Sequence, residues 1–344
     1  MTGIAVGMTS LVLITEQALL IAHPTTRWAV EQHMKRKSPD CVAVDPSDPT
    51  RLYCGTQGEG LWMSQDGGRT WDQAESGISH SEITSVAVGP PERGQRFGVV
   101  YVGTEPSTVF RSDDGGSTWR ELSGLRMLPS SRTWSFPPRP DTHHVRWIEP
   151  SRTHPGEVFV AIEAGALVRT RDGGQTWLDR APGGPIDTHT AATHLLAPNR
   201  VYSAAGDGYF ESTNAGDTWA RRVDGLQHRY LVGIAVDPAD PDTVVVSAAQ
   251  GPWAAYRPPN AAAYVYRKIA REAFDLAMEG LPDGRGTTAS RFATHPDEQG
   301  VIYAANNQGT YRSEDAGRTW AALDIPWPSR ALAQGVEALA CLPS

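Results

Sequence analysis

The chain has 344 residues, a formal net charge of −8 at pH 7 and a pI near 5.7, so it sets no basic field against a polyanion, which argues against a nucleic-acid partner. Its 34 glycines and 26 prolines, set among short apolar runs, suit an all-β protein with many turns. Cys41, Cys54 and Cys341 are odd in number and irregular in spacing, which makes no disulfide framework; each lies in an apolar run and reads as a buried thiol in a reducing, cytoplasmic compartment.

From the start of the chain, Leu11–Ala22 (LVLITEQALLIA) is apolar, but it lacks a basic leader and is interrupted by Glu16-Gln17 where a turn would fall. It is predicted as two strands of a hairpin, which leaves no membrane-spanning candidate. One eight-residue pattern, S/T-x-D/N-x-G-x-T-W, then recurs five times: Ser64–Trp71, Ser112–Trp119, Thr170–Trp177, Ser212–Trp219 and Ser313–Trp320. In a tight hairpin, Asp66, Asp114, Asp172, Asn214 and Asp315 are expected to accept backbone N–H groups two or three residues on. Gly68, Gly116, Gly174, Gly216 and Gly317 supply a positive φ, and the Thr-Trp pair starts a strand.

The same order surrounds each copy: a strand ending in a Pro-containing turn, a strand with a Tyr or Val core, a short apolar strand, the hairpin, and a fourth strand. Four antiparallel strands make one propeller blade. First strands are predicted at Cys41–Val44, Ile83–Val88, Val145–Ile148, Leu231–Val236, Arg291–Ala293 and Val336–Cys341. The step from Asn214 to Asp315 is 101 residues, two periods, so one unit has lost its copy. That unit reads LVGIAVDP, TVVVSA and YVYR, and its continuation over 264–281 is either a degenerate hairpin or a helical insertion.

Ser10–Met34 supplies three strands without a first, and Gly335–Pro343 is a lone first strand. The expected fold is therefore all-β, a single seven-bladed β-propeller closed by both termini in one shared blade. As a single domain over 1–344, its blades span 36–75, 81–123, 143–181, 187–224, 229–281 and 287–324, with 331–344 joined to 1–34.

The five hairpins resemble the Asp-box, or bacterial neuraminidase repeat, of sialidases, sortilin-type receptors, xyloglucanases and a photosystem II assembly factor, all β-propellers. That resemblance implies the fold and leaves the function open, because these relatives include hydrolases, receptors and a scaffold. Sialidase chemistry is not carried over: those enzymes have an Arg-Ile-Pro motif and six blades, neither of which is found here. Arg146, Arg229 and Arg291 imitate their arginine triad only in type, and Tyr230 their nucleophile.

Hairpin topology places the five turns on one rim, so a site is expected on the opposite face. Polar residues gather just ahead of the predicted first strands: Asp40, Glu82, His143, His144, Arg146, Asp187, His189, His228, Arg229, Tyr230, Arg291 and Glu337. Histidines, arginines and carboxylates from different blades suit acid and base catalysis, while solvated groups lining a tunnel are the plain alternative. His144, His189, Arg146, Tyr230 and Glu337 are the catalytic candidates. Arg291, His143, His228 and Asp187 are the ligand-binding ones, with Trp134, Trp253 and Tyr256 from two long loops, Ser123–Thr142 and Ala249–Ala263. No HxH or HExxH spacing assigns metal ligands, so no cofactor is predicted, although histidines from separate blades are able to meet around a divalent ion on the axis. Two functions follow: an enzyme, hydrolase- or lyase-like, acting on a polar or cyclic small molecule or carbohydrate-like ligand, and a non-catalytic module gripping a protein or glycan.

Overall fold

Strands of two to ten residues build seven sheets in the computed structural model, which describes residues 9–74, 77–92 and 94–343. The protein is an all-β, seven-bladed propeller of antiparallel sheets with almost no helix. Of the residues in the expected blade boundaries, 1–8, 75, 93 and 344 lie outside the described residues. Within the described residues the chain divides into two compact units, one of residues 40–222 and the other of residues up to 39 and from 223 onward.

The 40–222 unit holds four blades. The strands are Pro39–Val44, Leu52–Thr56, Leu61–Ser64 and Asp72–Gln73 in blade one, and Ile83–Gly89, Val99–Thr104, Val109–Ser112 and Arg120–Glu121 in blade two. Blade three has Val145–Pro150, Val158–Ile162 and Ala166–Thr170, its fourth strand reduced to one bridge between Arg169 and Leu178. Blade four has Thr188–His194, Ala197–Ala205, Gly208–Ser212 and Ala220–Arg221. The second and third strands are buried on both faces and read as near-continuous apolar runs, with Tyr53, Tyr101, Phe110, Phe159 and Tyr202 fully enclosed.

In the other unit, blade five has Tyr230–Asp237, Asp240–Ala249, Ala263–Ile269 and Asp275–Leu276, and blade six Arg291–Ala293, Ile302–Asn306, Gly309–Ser313 and Ala321–Ala322. Residues 264–281 thus form a degenerate hairpin, with no helix. Blade seven is shared by the two ends of the chain: Ala338–Leu342 lies antiparallel against Ser10–Thr15, from Ser10 opposite Leu342 to Ile14 opposite Ala338. Ala18–Pro24 and Trp28–His33 complete that sheet.

The repeated hairpin is built differently from the sequence expectation. Its Asp bonds to the Thr four residues on: Asp66 Oδ1 accepts the Thr70 N–H at 2.9 Å and Oδ2 accepts the Thr70 hydroxyl at 2.6 Å. The leading Ser is a second pivot, since Ser64 Oγ donates to Asp66 Oδ1 and accepts the Gly68 N–H, both at 2.8 Å. These bonds from Thr70 hold the Asp66 carboxyl down at about 2. Asn214 keeps the geometry by accepting the Thr218 N–H on Oδ1 and donating Nδ2 to the Thr218 hydroxyl.

Two successive residues, not one, take a positive φ. Gly115 and Gly116 stand at 71° and 92°, while Ala215 and Ala316 fill the first of the two positions at 53° and 56°. The φ of 92° at Gly116 is one that side-chain-bearing residues rarely adopt, so the second position favours glycine. The Trp precedes the fourth strand rather than starting it: the strand begins one residue later and is two residues long.

Four of the five turns are also tied to the blade before them through the carbonyl of the first positive-φ residue. Gly115 O accepts Tyr53 Oη at 3.1 Å, Gly173 O accepts Arg111 Nη1 at 3.4 Å, and Ala215 O accepts Arg169 Nη1 at 2.8 Å. In the second unit, Ala316 O accepts Arg267 Nε at 2.8 Å. The hairpin is therefore a clamp between neighbouring blades as well as a turn.

Candidate functional site

Antiparallel pairing puts the end of a blade's second strand beside the start of its first, and both lie at the end of the sheet away from the repeated hairpin. In blade three Val145 pairs with Ile162, and in blade four Thr188 pairs with Ala205. Residues just before strand one and just after strand two consequently share one edge. In the 40–222 unit this edge collects His144 and Arg146 with Glu163 from blade three, Asp187 and His189 from blade four, and Glu105 from blade two.

His144 donates from Nε2 to Glu163 Oε2 at 2.7 Å, and its Nδ1 stands 3.6 Å from Glu105 Oε2. Arg146 Nε lies 3.4 Å from the same Glu163 oxygen. Asp187 Oδ1 accepts the Ala164 N–H at 2.8 Å, and its Oδ2 lies 3.6 Å from His189 Nε2. Burial works to raise the Glu163 pKa, but Arg146, the His144 hydrogen bond and His189 overcome it and hold the carboxyl at about 2. Glu163 is thus a fixed anion at neutral pH. Burial, aided by His144, lowers the pKa of the neighbouring His143.

The long loop 123–142 caps this edge. It folds into two 3-10 turns, Ser123–Met127 and Pro129–Thr133, and pins itself with Trp134, which is buried, donates to Ser130 Oγ at 3.1 Å and meets the His143 ring edge-on. Further along, Phe136 packs edge-on against His144 at 4.8 Å, and Arg139 pairs with Glu105. Trp134 is accordingly an anchor inside its loop, and Phe136 is the aromatic that reaches the cluster.

Six of the sequence candidates lie in this unit: His143, His144, Arg146, Asp187, His189 and Trp134. Of the two proposed acid/base histidines, His144 has a side chain 8% exposed and His189 one 0% exposed. Their partners Glu163 and Glu105 were missed from sequence. The available signal was positional, because each directly follows a second strand, Val158–Ile162 and Val99–Thr104. Asp40, also singled out, accepts a hydrogen bond from Gln57 Nε2 at 2.8 Å.

The other six belong to the second unit. His228 Nδ1 lies 2.6 Å from Tyr266 Oη and its ring stacks on Tyr264 at 4.3 Å, while burial lowers its pKa. Tyr230 meets Tyr256 edge-on, with the Arg291 guanidinium 5.9 Å from the Tyr256 ring. Arg291 donates from Nε to Val336 O at 3.0 Å and lies 3.6 Å from Glu337. Trp253, on the short helix Pro252–Tyr256, is 68% exposed. Among the described residues no helix is long and apolar enough to cross a membrane.

The architecture defines a β-propeller, and comparison with known proteins finds neighbours of its fold that include GH74 enzymes and YCF48. No family model matches the chain. Xyloglucanase Xgh74A of Acetivibrio thermocellus is 25% identical over 241 residues, 62% of this chain, which spans only 22% of that enzyme's length. The GH74 xyloglucanase from Xanthomonas campestris superposes with a TM-score of 0.67 at 14% identity, covering 94% of this chain and 56% of that one. A structure of YCF48 bound to D1 peptide superposes with a TM-score of 0.57 at 16% identity, covering 93% of this chain and 88% of that one.

Proposed function

We propose that this propeller is a recognition module that binds a peptide segment of a partner protein over the capped edge of blades two to four, without turning it over. The observation that carries the reading is the mutual pairing of the cluster. His144 and Glu163 hold each other at 2.7 Å with almost no exposure, and Glu163 stays ionised, so neither is placed to exchange a proton with a substrate. The more open members, Arg146, Asp187 and Arg139, offer charges of both signs to an incoming chain. Near-coextensive superposition with a protein seen with a bound peptide supports the ligand class. Three free thiols, each pushed up in pKa by burial, support a reducing, cytoplasmic setting.

A second reading, glycan hydrolysis, is favoured by the 241-residue match to Xgh74A. One experiment separates the two: purified protein is assayed for release of reducing ends from xyloglucan, and screened in parallel against a displayed peptide library. Recognition predicts no release above blank, and peptide binding weakened about tenfold or more by the pair Arg146→Ala and Asp187→Asn. Turnover of xyloglucan that Glu163→Gln abolishes would overturn it.

A further inference from the structure

We propose that Glu163, Asp187 and His189 bind one divalent transition ion, an activity that goes beyond peptide recognition while sharing Asp187 with the proposed peptide surface. The three side chains come from two consecutive blades, and one donor atom from each lies within 4.8 Å of the others. Asp187 Oδ2 and His189 Nε2 are 3.6 Å apart, too long for a hydrogen bond and close to the edge of about 3.4 Å between two ligands on a tetrahedral ion with bonds near 2.1 Å. Glu163 reaches the same point from the hairpin after strand two. His144 and Arg146 both engage its Oε2, and one of its carboxylate oxygens lies within 4.8 Å of the donor atoms of Asp187 and His189.

The surroundings match what ligating carboxylates need. Asp187 is oriented through Oδ1 by the Ala164 N–H, and Glu163 by His144, so each is held in place by an outer partner. Two carboxylates and one imidazole form a hard-to-borderline donor set, suited to Mn²⁺, Fe²⁺ or Zn²⁺ rather than to a thiolate-seeking ion or to calcium with its six to eight oxygens. The charges agree as well: two carboxylates face one guanidinium, leaving an excess negative charge for the ion to balance. Arg146 works against the ion, so its removal should strengthen binding.

The test uses full-length protein stripped with chelator and titrated with Mn²⁺ while the electron paramagnetic resonance signal of the free ion is followed. The expected result is one ion per chain, with affinity reduced at least tenfold by His189→Gln and by Glu163→Gln, reduced about 10–100-fold by His144→Asn, and increased by Arg146→Met. Visible absorption of added Co²⁺ gives a second readout of nitrogen-containing coordination, lost in His189→Gln. If Glu163→Gln fails to fold, Asp187→Asn, at a more open position, reads the same affinity. No saturable binding of Mn²⁺ or Co²⁺, or saturable binding unaltered by these substitutions and so an adventitious ion only, overturns the proposal.

Discussion

Ser112 shows how much of a blade rests on one hydroxyl. Its Oγ donates to Asp114 and accepts the buried Gly116 N–H, both at 2.8 Å. Ser112→Ala leaves that N–H unpaired, and an unsatisfied buried donor costs about 1–3 kcal/mol. Thr170 fills the same role at 2.8 and 2.9 Å in blade three, so Ser112→Thr should be close to neutral. Urea unfolding of both variants checks the pair; equal stability of Ser112→Ala and wild type would show that the Asp-to-Thr bonds alone carry the turn. The same residue-scale logic explains Asn214, where an amide replaces the carboxylate by reversing one hydrogen bond.

Between elements, the arginine clamp is the feature that turns separate hairpins into a stack. Arg169 donates to Ala215 O at 2.8 Å and pairs with Asp217, reaching from the third strand of blade three to the turn of blade four. Arg169→Leu keeps most of the packing and removes both contacts, so thermal unfolding should shift down by the equivalent of about 1–3 kcal/mol. An unchanged melting curve would mean that blade contact is purely apolar. This clamp also shows where the sequence was legible. Blade number was readable because every element of the hairpin pattern is local, within eight residues, and its period survives even where blade five has lost its copy. The arginines were not, because their acceptors are backbone carbonyls 46 to 62 residues away and Tyr53 takes the donor's place in the first blade. Glu105 and Glu163 were hidden for a related reason: residues ahead of first strands were weighed, while antiparallel register brings those after second strands to the same place. His144 and His189 were singled out from sequence, yet the burial of both, with Phe136 of the capping loop packed against His144, is a tertiary property.

At the scale of the whole chain, the shared blade joins its first described strand to its last. Deleting residues 338–344 removes the partner of Ser10–Thr15 and uncovers Leu11, Val12 and Leu13, all fully buried. The expected outcome is loss of the cooperative melting transition together with aggregation, followed by circular dichroism and light scattering; a truncated protein that melts like the full chain would sink this. Val12 of Ser10–Thr15 and its partner Ala340 are synthesised 328 residues apart (340 − 12). With ribosomes adding roughly 5–20 residues per second, that edge of the nascent chain waits on the order of 20–60 s for its neighbour. During this interval a bare six-residue SLVLIT strand is the kind of segment that pairs with other chains, so translation speed and chaperone capture, as much as final stability, govern the yield of the closed ring.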